Sequence, residues 1–201
     1  MSDSPFDRIL DSIQDLSGSN QVNGIRYAEV ESIEDDGYVL TWLSSDDDAP
    51  SAPARVATLM AGNERGTFFN PEPGDEVVVA FESGDLDRPV IIGSLWSDVD
   101  SPPADADSSS SNNLRIIRSR LGHQLTFDDS AGAGKVILQT AGEHKLEMDD
   151  AAKKITVETP GGLKIEMDEI GMTLKIELNT STYIELSAAG VDIKGAQINL
   201  N

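Results

Sequence analysis

Residues 54–96 read ARVATLMAGNERGTFFNPEPGDEVVVAFESGDLDRPVIIGSLW. Three strand-like runs, 55–60, 76–82 and 89–95, are cut by compact turn signals: polar, glycine-bearing Asn63–Gly66, the double-proline turn Asn70–Asp75, and Gly84-Asp85. Val77, Val79 and Phe81 alternate with Glu76, Val78, Ala80 and Glu82, as in a strand with one buried face. The stretch therefore predicts a small antiparallel barrel or sandwich.

Upstream, Tyr27–Ile33 alternates in the same way, Asp35-Asp36-Gly37 turns the chain, and Tyr38–Leu43 returns as a hairpin partner. Before that, Phe6, Ile9, Leu10, Ile13 and Leu16 fall at helical spacing. Ser4 is placed to cap this short helix and Pro5 to begin it. Twelve residues are marginal for an isolated helix, so its apolar stripe is expected to dock on the barrel or on a partner. Residues 44–53, SSDDDAPSAP, lack the Gly and Glu spacing of a calcium loop and read as solvated.

Downstream, residues 97–113 contain no Lys or Arg, two prolines and a four-Ser run, the composition of a linker. Beyond Leu114 the rhythm changes. GHQLTFDD at 122–129 and GEHKLEMDD at 142–150 are related, and 162–169 and 182–187 are weaker copies. Other alternating runs lie between them, so a short strand recurs about every ten residues. Repetition on this scale means a solenoid, blade or fibre, because no single unit buries its own apolar face. Each strand offers two or three inward candidates: Leu125 and Phe127, Leu146 and Met148, Ile155 and Val157, Leu163, Ile165 and Met167, Ile184 and Leu186, Val191 and Ile193. A segment this thin has no monomeric core of its own. The economical solution is an intertwined oligomeric β-helix or β-prism, most simply a trimer, with these residues as its shared core.

Composition bounds the chemistry. Of 201 residues, 36 are acidic and 15 basic, a formal charge of −21 that repels phosphate backbones and anionic lipid surfaces. The acid excess reads as solubility, with adaptation to a salty medium as one source. Three chains would carry 3 × −21 = −63 charges, expected to keep a slender fibre soluble. No run approaches a membrane span, and the acidic start lacks the features of a secretory signal, so synthesis in the cytosol is expected. Zero cysteines exclude disulfides and thiolate sites. His123 and His144 occupy equivalent repeat positions but form no His-x-His pair, so metal ligation is not expected. The acid pairs Asp128/Asp129 and Asp149/Asp150 recur with the repeat and read as turn chemistry rather than as glycosidase carboxylates. With no nucleophile elbow, P-loop or dinucleotide fingerprint, no enzyme activity and no cofactor are expected.

The ordered run from RVATLMAG at 55–62 through GTFF at 66–69, PEPGDEVVVAF at 71–81 and RPVIIGSLW at 88–96 resembles the OB-fold of the baseplate spike family. That family includes phage baseplate assembly protein V, the VgrG spikes of type VI secretion and the spikes of other contractile injection systems. The Gly-His-x-Leu-x-Phe-Asp-Asp repeats resemble its triple-stranded β-helix. The resemblance implies an all-β chain: an N-terminal helix and connector (1–24), an OB-fold domain (25–96), a linker (97–113) and a triple-stranded β-helix spike (114–201). It implies a non-enzymatic homotrimeric central spike, assembled in the cytoplasm into a phage-tail-like particle, a virion or an extracellular or secreted injection system. Its OB end would meet a separate hub or baseplate protein, since no hub-like domain precedes the barrel, and its needle would puncture the target cell envelope. No lysozyme insert is present, so cell-wall digestion is not implied, nor is nucleic-acid binding. The apex lacks the iron-binding His-x-His, and Gly195, Ala196, Gln197, Ile198, Asn199, Leu200 and Asn201 are implied as a blunt end that receives a separate tip protein. The alternative is a trimeric fibre or adhesin whose OB barrel binds a glycan.

Overall fold

The computed structural model describes residues 22, 24–43, 50–103 and 111–199. The helix expected over 5–16, the three-Asp run at 46–48, residues 104–110 of the expected linker, and Leu200 and Asn201 lie outside the described residues. Contacts divide the chain into one unit up to Ser101 and another from Pro102.

The first unit is built from β1 (Ile25–Glu34), β2 (Gly37–Trp42), β3 (Arg55–Val56), a two-rung hairpin of β4 (Ala61–Gly62) and β5 (Arg65–Gly66), β6 (Glu76–Phe81) and β7 (Pro89–Ser94). The sheet order is β2-β1-β6-β7-β3, antiparallel except for the parallel β3–β7 pair. It closes on itself where Tyr38 on β2 bridges Ala54, just before β3, through N–H···O bonds of 3.0 and 2.8 Å. Closure removes the free edges that an open five-stranded sheet would expose. Inward-facing Ala28, Val30, Tyr38, Leu40, Val77, Val79 and Ile91, with Ala54, form the core. Trp42 and Phe81 pack on it with ring centroids 5.7 Å apart, and the Arg26 guanidinium lies over both rings at 5.5 and 5.9 Å.

Two bulges adjust this barrel, one between Val30 and Ser32 on β1 and one opposite Val78/Val79 that leaves Ile92 as the extra residue of β7. The run expected as a strand over 55–60 stops at Val56. Arg55 and Val56 pair with Val90 and Ile91 on β7, Ala57 N–H makes a last bond to the Ile91 carbonyl at 2.8 Å, and the chain then turns away into the β4–β5 arm with Leu59 96% exposed.

The second unit is one nine-stranded antiparallel meander: β8 (Leu114–Arg118), β9 (Gln124–Asp128), β10 (Lys135–Gln139), β11 (Lys145–Asp149), β12 (Lys154–Glu158), β13 (Lys164–Asp168), β14 (Thr173–Asn179), β15 (Thr182–Ser187) and β16 (Gly190–Lys194). Every strand bonds to its neighbours in sequence, so the backbone ladder is formed within one chain. A second copy can add a face to this unit more readily than a strand.

The corners explain the spacing of the repeat. Gly122, Glu143 and Gly162 occupy the same corner position at φ of +92°, +64° and +84°. At the opposite corners Asp128, Asp149 and Asp168 accept backbone N–H bonds from Ser130, Ala152 and Gly171 at 2.9, 2.7 and 2.8 Å. The first acid of each pair thus shapes a turn. The second extends the ladder: Asp129, Asp150 and Glu169 donate N–H to the carbonyls of Asn113, Gly134 and Lys153.

Candidate functional site

Partners across an antiparallel ladder share a face, and the register of the meander sorts its side chains into columns. One column runs Ile117, Leu125, Leu138, Leu146, Val157, Ile165, Ile176, Ile184, Ile193. A second, two residues along each strand, runs Arg115, Phe127, Val136, Met148, Ile155, Met167, Leu174, Leu186, Val191. Only Arg115 breaks the apolar pattern, at the first strand, where it pairs with Asp129 at 3.2 Å. Eight inter-strand steps of about 4.8 Å make this face roughly 38 Å long. Within a single chain nothing covers it: Phe127, Met148, Ile155, Ile165 and Ile184 are each exposed by two-fifths or slightly less, and Ile193 by about half.

The opposite face is a charged lattice. Lys135 on β10 bridges Asp149 at 2.6 Å and Glu147 at 3.1 Å on β11, and Lys145 closes on Glu147 at 2.7 Å. The motif returns when Lys154 meets Asp168 and Glu166 at 2.9 and 3.0 Å and Lys164 meets Glu166, and it recurs in part at Lys175–Glu177, 3.0 Å. Hydrogen bonds from Lys145 and Lys164 respectively, with those from Lys135 and Lys154, hold the carboxyls of Glu147 and Glu166 below the usual range. The Ala152 and Gly171 amides, then the same two lysines, do so for Asp149 and Asp168. Reciprocally, Asp149 and Glu147 raise the Lys135 ammonium, and Asp168 and Glu166 raise that of Lys154.

Of the residues expected to form a shared core, Leu125, Phe127, Leu146, Met148, Ile155, Val157, Ile165, Met167, Ile184, Leu186, Val191 and Ile193 all lie on the apolar face. Leu163 sits just before β13 at a corner, 47% exposed, its carbonyl accepting from Thr159 N–H at 2.9 Å. Sequence reading missed Ile117, Val136, Leu138, Leu174 and Ile176. In Ile116-Ile117 and Val136-Ile137-Leu138 continuous apolar residues hide the period of two, and the ladder register recovers it.

His123 and His144 take the corner position that Leu163 takes one repeat later. The His123 Nδ1 accepts the Ala141 N–H at 3.2 Å, and at the next corner Pro160 stands where Ala141 stood, with no N–H to give. Beyond β16, Gly195–Asn199 are exposed apart from half-buried Gly195 and carry no strand. Gln197 Nε2 donates to Asn199 Oδ1 at 3.0 Å.

Comparison with known proteins bears on both units. Residues 37–96 match the type VI secretion system/phage-baseplate injector OB domain, and residues 135–201 match the phage baseplate V C-terminal trimerisation domain. Together the two cover more than half of the chain. Among curated proteins, the type VI secretion system spike protein VgrG3 of Vibrio cholerae serotype O1 is 30% identical over 98 residues, 47% of this chain and 10% of the relative. Spike protein VgrG1c of Pseudomonas aeruginosa is 26% identical over 102 residues, 48% of this chain and 14% of the relative. The actin cross-linking toxin VgrG1 of V. cholerae is 29% identical over 98 residues, 47% of this chain and 9% of the relative. The matched segment thus spans about a tenth of the length of these relatives. With an injector OB domain followed by a baseplate V trimerisation domain, and VgrG spike proteins among its relatives, the chain belongs to the phage baseplate V and VgrG-type spike family.

Proposed function

We propose that three copies of this chain cover their apolar faces against one another as a three-sided prism and form the non-enzymatic central spike of a phage-tail-like contractile injection apparatus. The trimer is assembled in the cytoplasm before it joins the particle. The OB domains attach to a hub or baseplate protein, and the residues after β16, Gly195–Asn201, receive a separate tip protein. The needle passes transiently through the target cell envelope.

The observation that carries the reading is the continuous apolar face, with seventeen of eighteen ladder positions apolar. A patch of that length on a soluble chain marks an interaction site, and the matched domain is one that trimerises. The mechanics agree. The strands stack in sequence order, so the needle axis is the hydrogen-bond direction and thrust along it loads a nine-rung ladder in compression. Three sheets that share a core unfold together and slowly, which is the kinetic stability that a puncturing device requires.

Light-scattering mass in solution tests the association. About three times 21.5 kDa is expected, and a stable species of 21.5 kDa overturns it. The hub and tip assignments are tested by co-purification with the neighbouring baseplate proteins, with and without residues 195–201.

A further inference from the structure

The two edges of the apolar face carry side chains that a single chain leaves unused. His144 lies one residue before β11 and Asp150 one residue after it. Both stay in the ladder, because Thr140 N–H donates to the His144 carbonyl at 2.9 Å and Asp150 N–H to the Gly134 carbonyl at 3.0 Å. They share the strand parity of Leu146 and Met148, so they belong to the apolar side, at opposite edges of one level. β9 repeats the arrangement, with His123 and Asp129 flanking Leu125 and Phe127. Six residues, about 20 Å of extended strand, keep each histidine from the acid of its own strand. The His144 imidazole and the Asp150 carboxylate have no hydrogen-bond or ion-pair partner among the described residues. The His123 Nδ1 accepts the Ala141 N–H at 3.2 Å, which leaves the ring proton on Nε2 as a donor. The Asp129 carboxylate takes Arg115 at 3.2 Å through Oδ2, and a carboxylate has room for a second donor.

Threefold rotation decides what each edge meets. Such an interface is heterologous, and a rotation has no component along its axis. Every seam of a three-sided prism therefore joins the acid edge of one copy to the histidine edge of the next, level by level. We infer that His144 of each copy hydrogen-bonds Asp150 of the next copy, and that His123 does the same with Asp129, so that two levels of polar pairs close each seam of the prism. The inference rests on the trimer proposed above. His144 and Asp150 lie within residues 135–201, the segment that matches a trimerisation domain. On β13 the same two places are held by Leu163 and Glu169, and a leucine gives a carboxylate no donor, so the pairing ends after two levels. The pairs form a polar rim at the corners, where the shared apolar core would otherwise open to water. The second acid of each repeat thus has a side-chain role as well as its backbone one.

The chain has no cysteine, which makes the test direct. The full-length double variant His144→Cys/Asp150→Cys is treated with a short bis-maleimide, too short to span one strand, and run on a denaturing gel. Its native mass is read by light scattering. His123→Cys/Asp129→Cys serves as a second pair in case the first disturbs a corner, and His144→Cys/Glu169→Cys, two strands out of level, is the control. The expected result is covalent dimers and trimers from the level pairs and monomers from each single variant. A trimeric native mass with no linked species from either level pair overturns the seam and leaves the prism standing. Dimers from His144→Cys alone also overturn it, because histidine edges would then meet one another, as does a yield from the control at least as high as from the level pairs. Exchanging the partners reads the pairing itself: His144→Asp and Asp150→His should each lower the thermal midpoint, and the double exchange should recover most of the loss. A double exchange that loses the sum of the two single losses overturns the pair. A monomeric native mass of the unaltered chain removes the prism and the seam together.

Discussion

Ile165 is the position at which the shared-core reading is most open to refutation. It lies in the centre of the first apolar column, between Val157 and Ile176, and remains 40% exposed in a single chain. Fully burying an isoleucine side chain is worth about 1.5–3 kcal/mol, so association contributes about 1 kcal/mol per copy at this level. Ile165→Ala is therefore expected to keep the trimer and lower its stability. Ile165→Asp is far more disruptive, because removing a carboxylate from water costs several kcal/mol even after relaxation. Threefold symmetry places three of them at one level, which sums to roughly 10 kcal/mol or more. At about 1.4 kcal/mol per decade that is on the order of seven decades in the association constant. The variant is expected to elute as a monomer, as is Leu146→Asp in the same column. Thr156→Lys, one residue from this face but on the charged side between Glu147 and Glu166, is expected to stay trimeric. Size-exclusion chromatography with light scattering reads all four variants. A trimeric Ile165→Asp, or a dissociated Thr156→Lys, refutes the assignment of faces.

Other outcomes follow from the same geometry. Gly37 has φ of +151°, and a Cβ there would stand 2.7 Å from the Ala54 carbonyl oxygen, against the bridge that closes the barrel; Gly37→Ala should cost about 1–3 kcal/mol. Gly74→Ala, at φ of +98° with nothing within 4 Å, should cost only the backbone strain of about 1–2 kcal/mol, and denaturant titration ranks the two. Glu143 is the non-glycine residue in a corner slot that Gly122 and Gly162 fill elsewhere; Glu143→Gly should stabilise each chain by up to about 1 kcal/mol, read as a higher thermal midpoint. The lowered carboxyls of Glu147, Asp149, Glu166 and Asp168 contribute stability that is present above their ordinary values near pH 4 and lost as pH falls through their folded values. The raised Lys135, Lys154 and Lys175 contribute stability that is present below about pH 10.4 and lost as pH rises through their folded values. Unfolding rates measured between about pH 2 and 12 should be lowest between those limits, and a rate unchanged down to about pH 2 would remove the lattice as a source of stability.

Legibility of the fold depended on how local its signals were. The β1–β2 hairpin and the buried Val77/Val79 face were readable because alternation and turn residues fall close together in the chain. Barrel closure was not, because it depends on Tyr38 meeting Ala54, far along the chain, through backbone atoms that have no sequence signature. In the needle the strands carrying Leu-x-Phe or Leu-x-Met patterns were readable, and the intervening β8 and β10 were obscured by Ile116 and Ile137, which are apolar on the charged side. The lattice itself was invisible, since Lys135 and Asp149 become neighbours only once the register is known.

That register also changes what the acid excess means. All seven lysines lie in residues 114–201, where ten basic and thirteen acidic residues leave a net charge of −3; residues 1–113 carry the other −18. The expectation that dense negative charge keeps the fibre soluble therefore does not apply to its needle half, which is close to neutral. There the polar face is an ordered lattice in which Lys135 and Lys154 reach across to carboxylates on the next strand and Lys145, Lys164 and Lys175 pair with a glutamate on their own. For the proposed passage through a target envelope, with its anionic lipid and polysaccharide, this arrangement has a physical advantage. A surface of paired charges stays wet and resists sheet-to-sheet aggregation, yet it avoids the long-range repulsion that a −21 chain would otherwise bring to the membrane. The acidity is concentrated instead in the half that carries the OB domain, which by this reading stays behind with the hub.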